Sequence, residues 1–479
     1  MLLGLLPAIS ACGSPQPGGA DARDVDAAVS DGATADSGDG GDGGGGASTL
    51  FDPLYTPGFM LDDERTAVTQ TTLPNPQKST TGVLDPTFGV YVRRITANAD
   101  VADTVSALGH EYSRRQAYNA DSTRFIAQAS NGFWYLYDAV SLQRLDGGRT
   151  QSPGTGAIVG LAGDCEPIWH PSDPNKLWHT STNGGLVWSE RDVVANTTTQ
   201  LFDLTAHVQA LGWTTAARAW WKGEGRPSDD GRWWALMVET SAFQPLGIIM
   251  YDRMTDTIVG HQALTGNRPD HLSTSPLGNY AVVSWYGNAA ASLAEEAARP
   301  LSTAGGVRAY SRDFSTFRVM SVLGEHSDLA LDAAGNEVFV AVSFHGAADG
   351  VTDGRVFFRR LDDGTAYDTP INTFGGSTGT GIHVSGTATA RRGWVVVSKY
   401  AGVGSGPFDG QVVAVELVPS NARVLRLAHH RSSANGYFFE PHASVNRDFT
   451  RVMFSSDWSG AQATALDYEI MLPSWAIPP

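Results

Sequence analysis

The most chemically loaded stretch of the chain runs His429-His430-Arg431 and then Asn435-Gly436-Tyr437-Phe438-Phe439-Glu440-Pro441-His442-Ala443-Ser444. An imidazole and a carboxylate two residues apart suit a divalent transition metal, and a neutral imidazole can also act as a general base. Three other stretches share this character: Pro269-Asp270-His271, Glu325-His326-Ser327-Asp328 and Gly381-Ile382-His383. Arg114, Arg115, Arg226 and Arg268 add guanidinium groups able to grip carboxylates in forked geometry. Any one of these residues alone is more readily a hydrated polar group than a reagent. Their meaning depends on whether the fold brings them together.

The elements that would do so repeat. From about residue 87 onward the chain alternates a short strand, a tight polar turn, and a strand rich in β-branched and aromatic residues. The turns and following strands fall at 119–126, 171–178, 228–234, 275–282, 332–339, 390–396 and 446–453. Seven copies at a spacing of about fifty residues, with four short strands each, are the signature of propeller blades. Paired sandwiches do not repeat at this length. The spacing therefore predicts an all-β fold, a seven-bladed β-propeller with four-stranded blades over 87–479, preceded by an irregular lead-in at 51–86. Phe88-Gly89-Val90-Tyr91-Val92 comes before the first copy and is expected to complete the last blade, closing the ring and removing sheet edges.

Innermost strands line a propeller's channel. Aligned on their turns, the copies place Arg115, Glu166, Glu224, His271, Asp328, Ser385 and His442 at equivalent positions. Two residues earlier, on the same strand face by the period of two, stand Ser113, His326, His383 and Glu440. Imidazoles and carboxylates from different blades are thus expected at one mouth of the channel. A metal there requires Glu440 and His442 to point the same way and a further imidazole from His271, His326 or His383 to join them. Inert, hydrated channel-lining groups are the alternative.

The turns resemble the Ser-Pro-Asp-Gly turn of the TolB-like propellers. The stretch 429–444 resembles oligogalacturonate lyases, seven-bladed propellers with bound manganese, whose last metal-binding stretch has a Gln and a His-Pro-His run before such a turn. Here His442 matches the second His, Glu440 replaces the first, and Tyr437 stands where the Gln would be. His170-Pro171-Ser172-Asp173-Pro174 is similar to a Pro-x-Asp-Pro turn of those enzymes. The resemblance implies a manganese or zinc ion held by His326, His383, Glu440 and His442, and β-elimination on an acidic oligo- or polysaccharide. His271 or Arg115 would then take the proton, and Arg114, Arg226, Arg268 and Tyr437 would hold substrate. Against this stands a surface binding or protein-interaction propeller without chemistry, which the same fold serves equally well.

The bulk numbers bound the rest. With 33 Lys and Arg against 50 Asp and Glu, the net charge of -17 argues against nucleic acid as a partner. The opening residues Met1 to Cys12 form a short apolar run ending Ile9-Ser10-Ala11-Cys12, which resembles a bacterial lipobox and implies acylation of Cys12. Residues 13–50, rich in Gly, Asp and Ala, are expected to be a disordered tether. The expected product is an exported, monomeric cell-envelope protein held to a membrane by a lipid anchor. Cys165, the other cysteine, reads as a buried structural thiol rather than a ligand.

Overall fold

The computed structural model describes residues 48–324, 326–372, 381–400 and 406–478. Cys12 with its leader, and all but the end of the 13–50 tether, lie outside the described residues. Beyond them the chain forms five four-stranded antiparallel sheets and one nine-stranded sheet that holds the first and last blades together. That makes seven blades, numbered here in chain order from the one containing Arg124–Ala129. The fifth is typical, with strands Ser327–Leu331, Glu337–Val342, Arg355–Arg360 and Ala366–Asn372 running outward from the axis.

The ring closes as the sequence predicts. Val90–Arg94 pairs antiparallel with Ala465–Met471, with Tyr91 opposite Met471 and Arg94 opposite Tyr468. Val83–Asp85 then adds a further strand outside it. At this seam the buried Glu469 carboxylate accepts from Arg93 Nε at 2.7 Å, Arg451 Nη1 at 2.8 Å and Tyr118 Oη at 2.6 Å. The lead-in straps the outside of the last two blades. Arg426 Nε donates to the Glu64 carbonyl at 2.8 Å, Trp458 Nε1 to the Leu73 carbonyl at 2.8 Å, and Tyr468 Oη to Asn75 at 2.7 Å.

The repeated turns form for a local reason. Their first residue carries a side-chain oxygen that accepts the backbone N–H of the next strand's start. Asn119, Ser228, Ser275 and Asn446 do so five residues on, each at 2.9 Å. A left-handed residue completes most of them: Gly231, Gly278, Gly335 and Gly393, with Ser122 and Phe449 in the first and last copies. The strands pack blade on blade. Trp178, Trp188 and Trp221 surround Trp234 at centroid distances of 5.4, 4.9 and 5.0 Å. Trp220, Trp221, Trp233 and Trp234 are all buried in this packing. Cys165 is buried with a free thiol that burial pushes up, as a structural cysteine should be.

The channel is crossed by side chains. Arg226 of the third blade reaches Asp328 of the fifth at 2.7 Å and the Gly386 carbonyl at the sixth at 3.4 Å. Gln116 of the first blade donates to the carbonyls of Thr387 and Val445 at 3.3 and 3.0 Å. Arg114 spans from Glu224 at 3.1 Å to Ser327 Oγ at 3.2 Å. Among the described residues no helix is long and apolar enough to cross a membrane.

Candidate metal centre at the mouth of the channel

His383 lies in the inner strand Gly381–Ser385 of the sixth blade. Glu440 and His442 come from the seventh, but not from a strand. They follow the single 3-10 turn Tyr437–Phe439, and the inner strand starts only at Ser444. The period-two expectation for this pair is therefore corrected: Glu440 is extended, whereas His442 sits at φ +41° in the left-handed region that non-glycine residues seldom occupy. The two side chains converge all the same, because the backbone kinks where a strand would have continued.

That kink is held from the first blade. His110 Nε2 donates to the His442 carbonyl at 2.6 Å, and His110 Nδ1 donates to Asp467 Oδ1 at 2.9 Å. With both nitrogens donating, the ring is an imidazolium. Burial opposes that charge, but the Asp467 carboxylate raises the His110 pKa above its ordinary value.

His383 Nε2 and His442 Nε2 each lie 3.3 Å from Glu440 Oε2. One ligand atom from each of the three residues falls within 4.8 Å of the others. His442 Nε2 and Glu440 Oε2 are buried without a well-formed hydrogen bond, although they face each other. Buried polar atoms left unsatisfied cost about 1–3 kcal/mol each, so their convergence calls for a partner. Protonation fits a cation. Burial, followed by the neighbouring His442, pushes His383 well below the usual imidazole range, and burial lowers His442 as well. Burial alone would raise Glu440, but its contacts with His383 and His442 hold the carboxyl well below the usual range. Two neutral imidazoles and one carboxylate are the protonation states that bind zinc or manganese.

Of the predicted residues, His326 lies beside this trio and not within it. Its ring stacks on His383 at 4.8 Å, and its Nδ1 donates to the Ile382 carbonyl at 2.6 Å, leaving Nε2 as the acceptor nitrogen. Tyr437 packs on His442 at 4.7 Å. Two tyrosines that the turn alignment did not single out complete the wall. Tyr112 lies 4.9 Å from His442 and 5.3 Å from His383, while Tyr400 stacks on His383 at 4.6 Å.

His271 is brought to a different group. Its Nδ1 is 3.3 Å from Asp270 Oδ2 and 3.7 Å from Glu224 Oε2, and Lys222 Nζ is 2.7 Å from Asp270. The arginines also differ from expectation, since each already faces a carboxylate. Arg115 meets Glu111 at 3.3 Å and Glu166 at 3.5 Å, and Arg114 meets Glu224. Arg226 is the strut to Asp328 described above, and Arg268 lies against the buried Glu239 at 2.5 Å. Ion pairing across the channel thus replaces the open guanidinium forks that the sequence suggested.

A closed seven-bladed ring with a polar cluster at one mouth defines the class: a β-propeller with a candidate metal centre. The sequence matches no known family profile and no curated protein. Solved structures give the fold its company. An oligogalacturonate lyase from Vibrio parahaemolyticus is 14% identical over 83% of this chain and 97% of its own, with a TM-score of 0.54. An oligogalacturonate lyase in complex with manganese is also 14% identical, over 86% of this chain and 100% of its own, with a TM-score of 0.50. The chain is a seven-bladed propeller of the kind those lyases adopt.

Proposed function

We propose that this protein is a divalent-metal-dependent lyase that cleaves a uronate-containing polysaccharide by β-elimination at the mouth of the propeller, and that it is exported and anchored through Cys12. The observation that carries the reading is the convergence of His383, Glu440 and His442, from two adjacent blades, on one point, with Glu440 Oε2 and His442 Nε2 buried without a well-formed hydrogen bond. When bound there, a divalent ion supplies a Lewis acid that neutralises a uronate carboxylate and acidifies the neighbouring C–H.

The chain's own residues do the rest. Tyr112 and Tyr400 pack the trio from within, and the half-buried Tyr437 is the aromatic face against which a sugar ring can lie. His326 keeps an acceptor nitrogen at the edge of the trio through its bond to Ile382. His271, with Nδ1 turned to Asp270, offers Nε2 as the proton acceptor. Arg115 is held in ion pairs with Glu111 and Glu166 and is not free to take the proton. The likeness to a manganese-bound lyase supports the metal, and the Ile9-Ser10-Ala11-Cys12 run supports the anchor.

The test is incubation of the manganese-loaded protein with uronate oligosaccharides, read by the ultraviolet absorbance of an unsaturated product. New absorbance that chelator abolishes and manganese restores supports the reading. A metal-loaded protein inert on every uronate polymer would favour a non-enzymatic binding propeller instead. One observation already favours that second reading: the mouth's arginines are occupied by the protein's own carboxylates.

A further inference from the structure

A second polar cavity lies in the channel at the turn end of the inner strands. It measures about 50 Å³ and is lined by Arg115, Arg226, Asp229 and Arg447, with Trp169 and Pro171 among its apolar residues. One water needs about 10–15 Å³, so the space suits several waters or a small anion. Its arginines have N–H groups to spare: Arg115 Nη1, Arg226 Nε and Arg447 Nε are buried without a hydrogen-bond partner. Arg115 and Arg226 are nevertheless in ion pairs, with Glu166 and Asp328. Arg447 is not. Among the described residues it forms no ion pair, and its only hydrogen bond runs from Nη2 to the His170 carbonyl at 3.5 Å. A guanidinium keeps its charge at any pH the fold survives, so this cation lacks a close counter-charge.

Asp229 lies within the electrostatic reach of Arg447 and Arg226, which repel each other, yet it pairs with neither. Burial pushes Glu111 up to about 8 and leaves it uncharged at neutral pH. Arg114, Arg115, Arg226 and Arg447 are then balanced by Glu224, Glu166, Asp328 and Asp229. Burial also pushes Asp229 up to about 6, with Arg226 and Arg447 pulling it only partly back. Below that pH one positive charge is left over. The other groups nearby are committed. Glu337 accepts from Leu277 N at 2.6 Å and Asn279 Nδ2 at 2.9 Å. His170 keeps Nδ1 as an acceptor for the Ser172 and Asp173 N–H groups, and burial favours its neutral form. We infer that this cavity binds a small carboxylate across the guanidinium groups of Arg447 and Arg226, whose planar N–H groups suit a two-oxygen anion. Asp229 takes up a proton from solvent as the anion enters. The site needs no metal and stands apart from the proposed lyase chemistry.

The experiment is calorimetric titration of the full chain with sodium formate, and with sodium sulfate at matched ionic strength. It is run at about pH 5.5 and about pH 7.5, a range in which formate stays ionised. One formate per chain should bind, about tenfold more tightly at the lower pH, where Asp229 is protonated. Sulfate, which needs a second spare charge, should bind at least about tenfold more weakly than formate. Arg447→Gln should weaken formate binding by at least about tenfold at the lower pH. Asp229→Asn should bind formate at the higher pH as tightly as the wild type does at the lower, a gain that misfolding cannot imitate. A carboxylate caught by an ion at the His383, Glu440 and His442 trio would be untouched by Arg447→Gln, so the two sites are told apart. No formate binding, sulfate binding as tight as formate, unchanged binding in Arg447→Gln, or no gain in Asp229→Asn overturns the inference.

Discussion

Two buried clusters of charge in this propeller are built on opposite plans. At the seam that closes the ring, Glu469 is matched by Arg93, Arg451 and Tyr118 within 2.8 Å. At the mouth, Glu440 faces His383 and His442 at 3.3 Å without a well-formed hydrogen bond, and His442 holds a left-handed backbone to be there. A buried network whose members are all satisfied fixes the fold. One left open by the protein's own groups is the candidate for a ligand, which is the reading proposed for the mouth. A carboxylate among nitrogen groups is thus closed on itself at the seam and, on the proposed reading, open to an ion at the mouth.

The largest effect expected from breaking this contrast is at the seam. Glu469→Ala leaves Arg93 and Arg451 buried without their partner and should cost about 3–5 kcal/mol, read as a fall in the denaturation midpoint. The pH dependence has a definite sign there. Burial tends to raise the Glu469 pKa, but Arg451 and Arg93 lower it below its ordinary value. Its stabilisation is complete above the unfolded-state pKa, about 4.3, and is lost as pH falls through the lower folded-state value. Acid unfolding of the wild type should therefore be steeper than that of the Glu469→Ala variant. Equal acid sensitivity of the two would mean that the seam carboxylate contributes little.

At the mouth the order reverses. His110→Ala removes the donor that pins the His442 carbonyl and should weaken manganese or zinc binding by about 10–100-fold, the usual cost of losing a group that orients a ligand. His110→Gln, which keeps a donor, should recover part of that loss. Unchanged metal affinity in both variants would show that the kink holds itself. The smallest expected effect is His442→Gly on stability. Glycine relieves the left-handed backbone but enlarges the unfolded ensemble and vacates the buried ring beside Tyr112, Tyr437 and His383, so the midpoint should fall by about 1–2 kcal/mol. A loss of several kcal/mol would place His442 with the seam, as a structural residue.

The contrast also marks what the sequence could reveal. The turns were legible because each is a local device. Asn119, Ser228, Ser275 and Asn446 cap their own strand starts, and the left-handed glycines recur at one position. His383, Glu440 and His442 were legible because alignment on those turns places them at the same end of neighbouring inner strands. Strand periodicity gave the right pairing of Glu440 with His442 for the wrong backbone, since a left-handed His442 leaves no mark in a pattern of alternate residues. His110 escaped because it acts through a backbone carbonyl of another blade, 332 residues away at His442, and Asp467 because it acts only through His110. The arginines misled for a related reason. Whether Arg114 or Arg226 is free depends on which carboxylate stands across the channel, and that is fixed by the ring as a whole.

The central claim is that the mouth is a metal site, and metal content tests it most directly. The full chain, dialysed against trace manganese and zinc and then against metal-free buffer, should retain about one divalent ion per chain by elemental analysis. Glu440→Gln and His383→Ala, still folded by circular dichroism, should retain none, because two remaining ligands hold such ions too weakly. A wild-type protein that returns from dialysis without metal, or variants that keep it, would contradict the account.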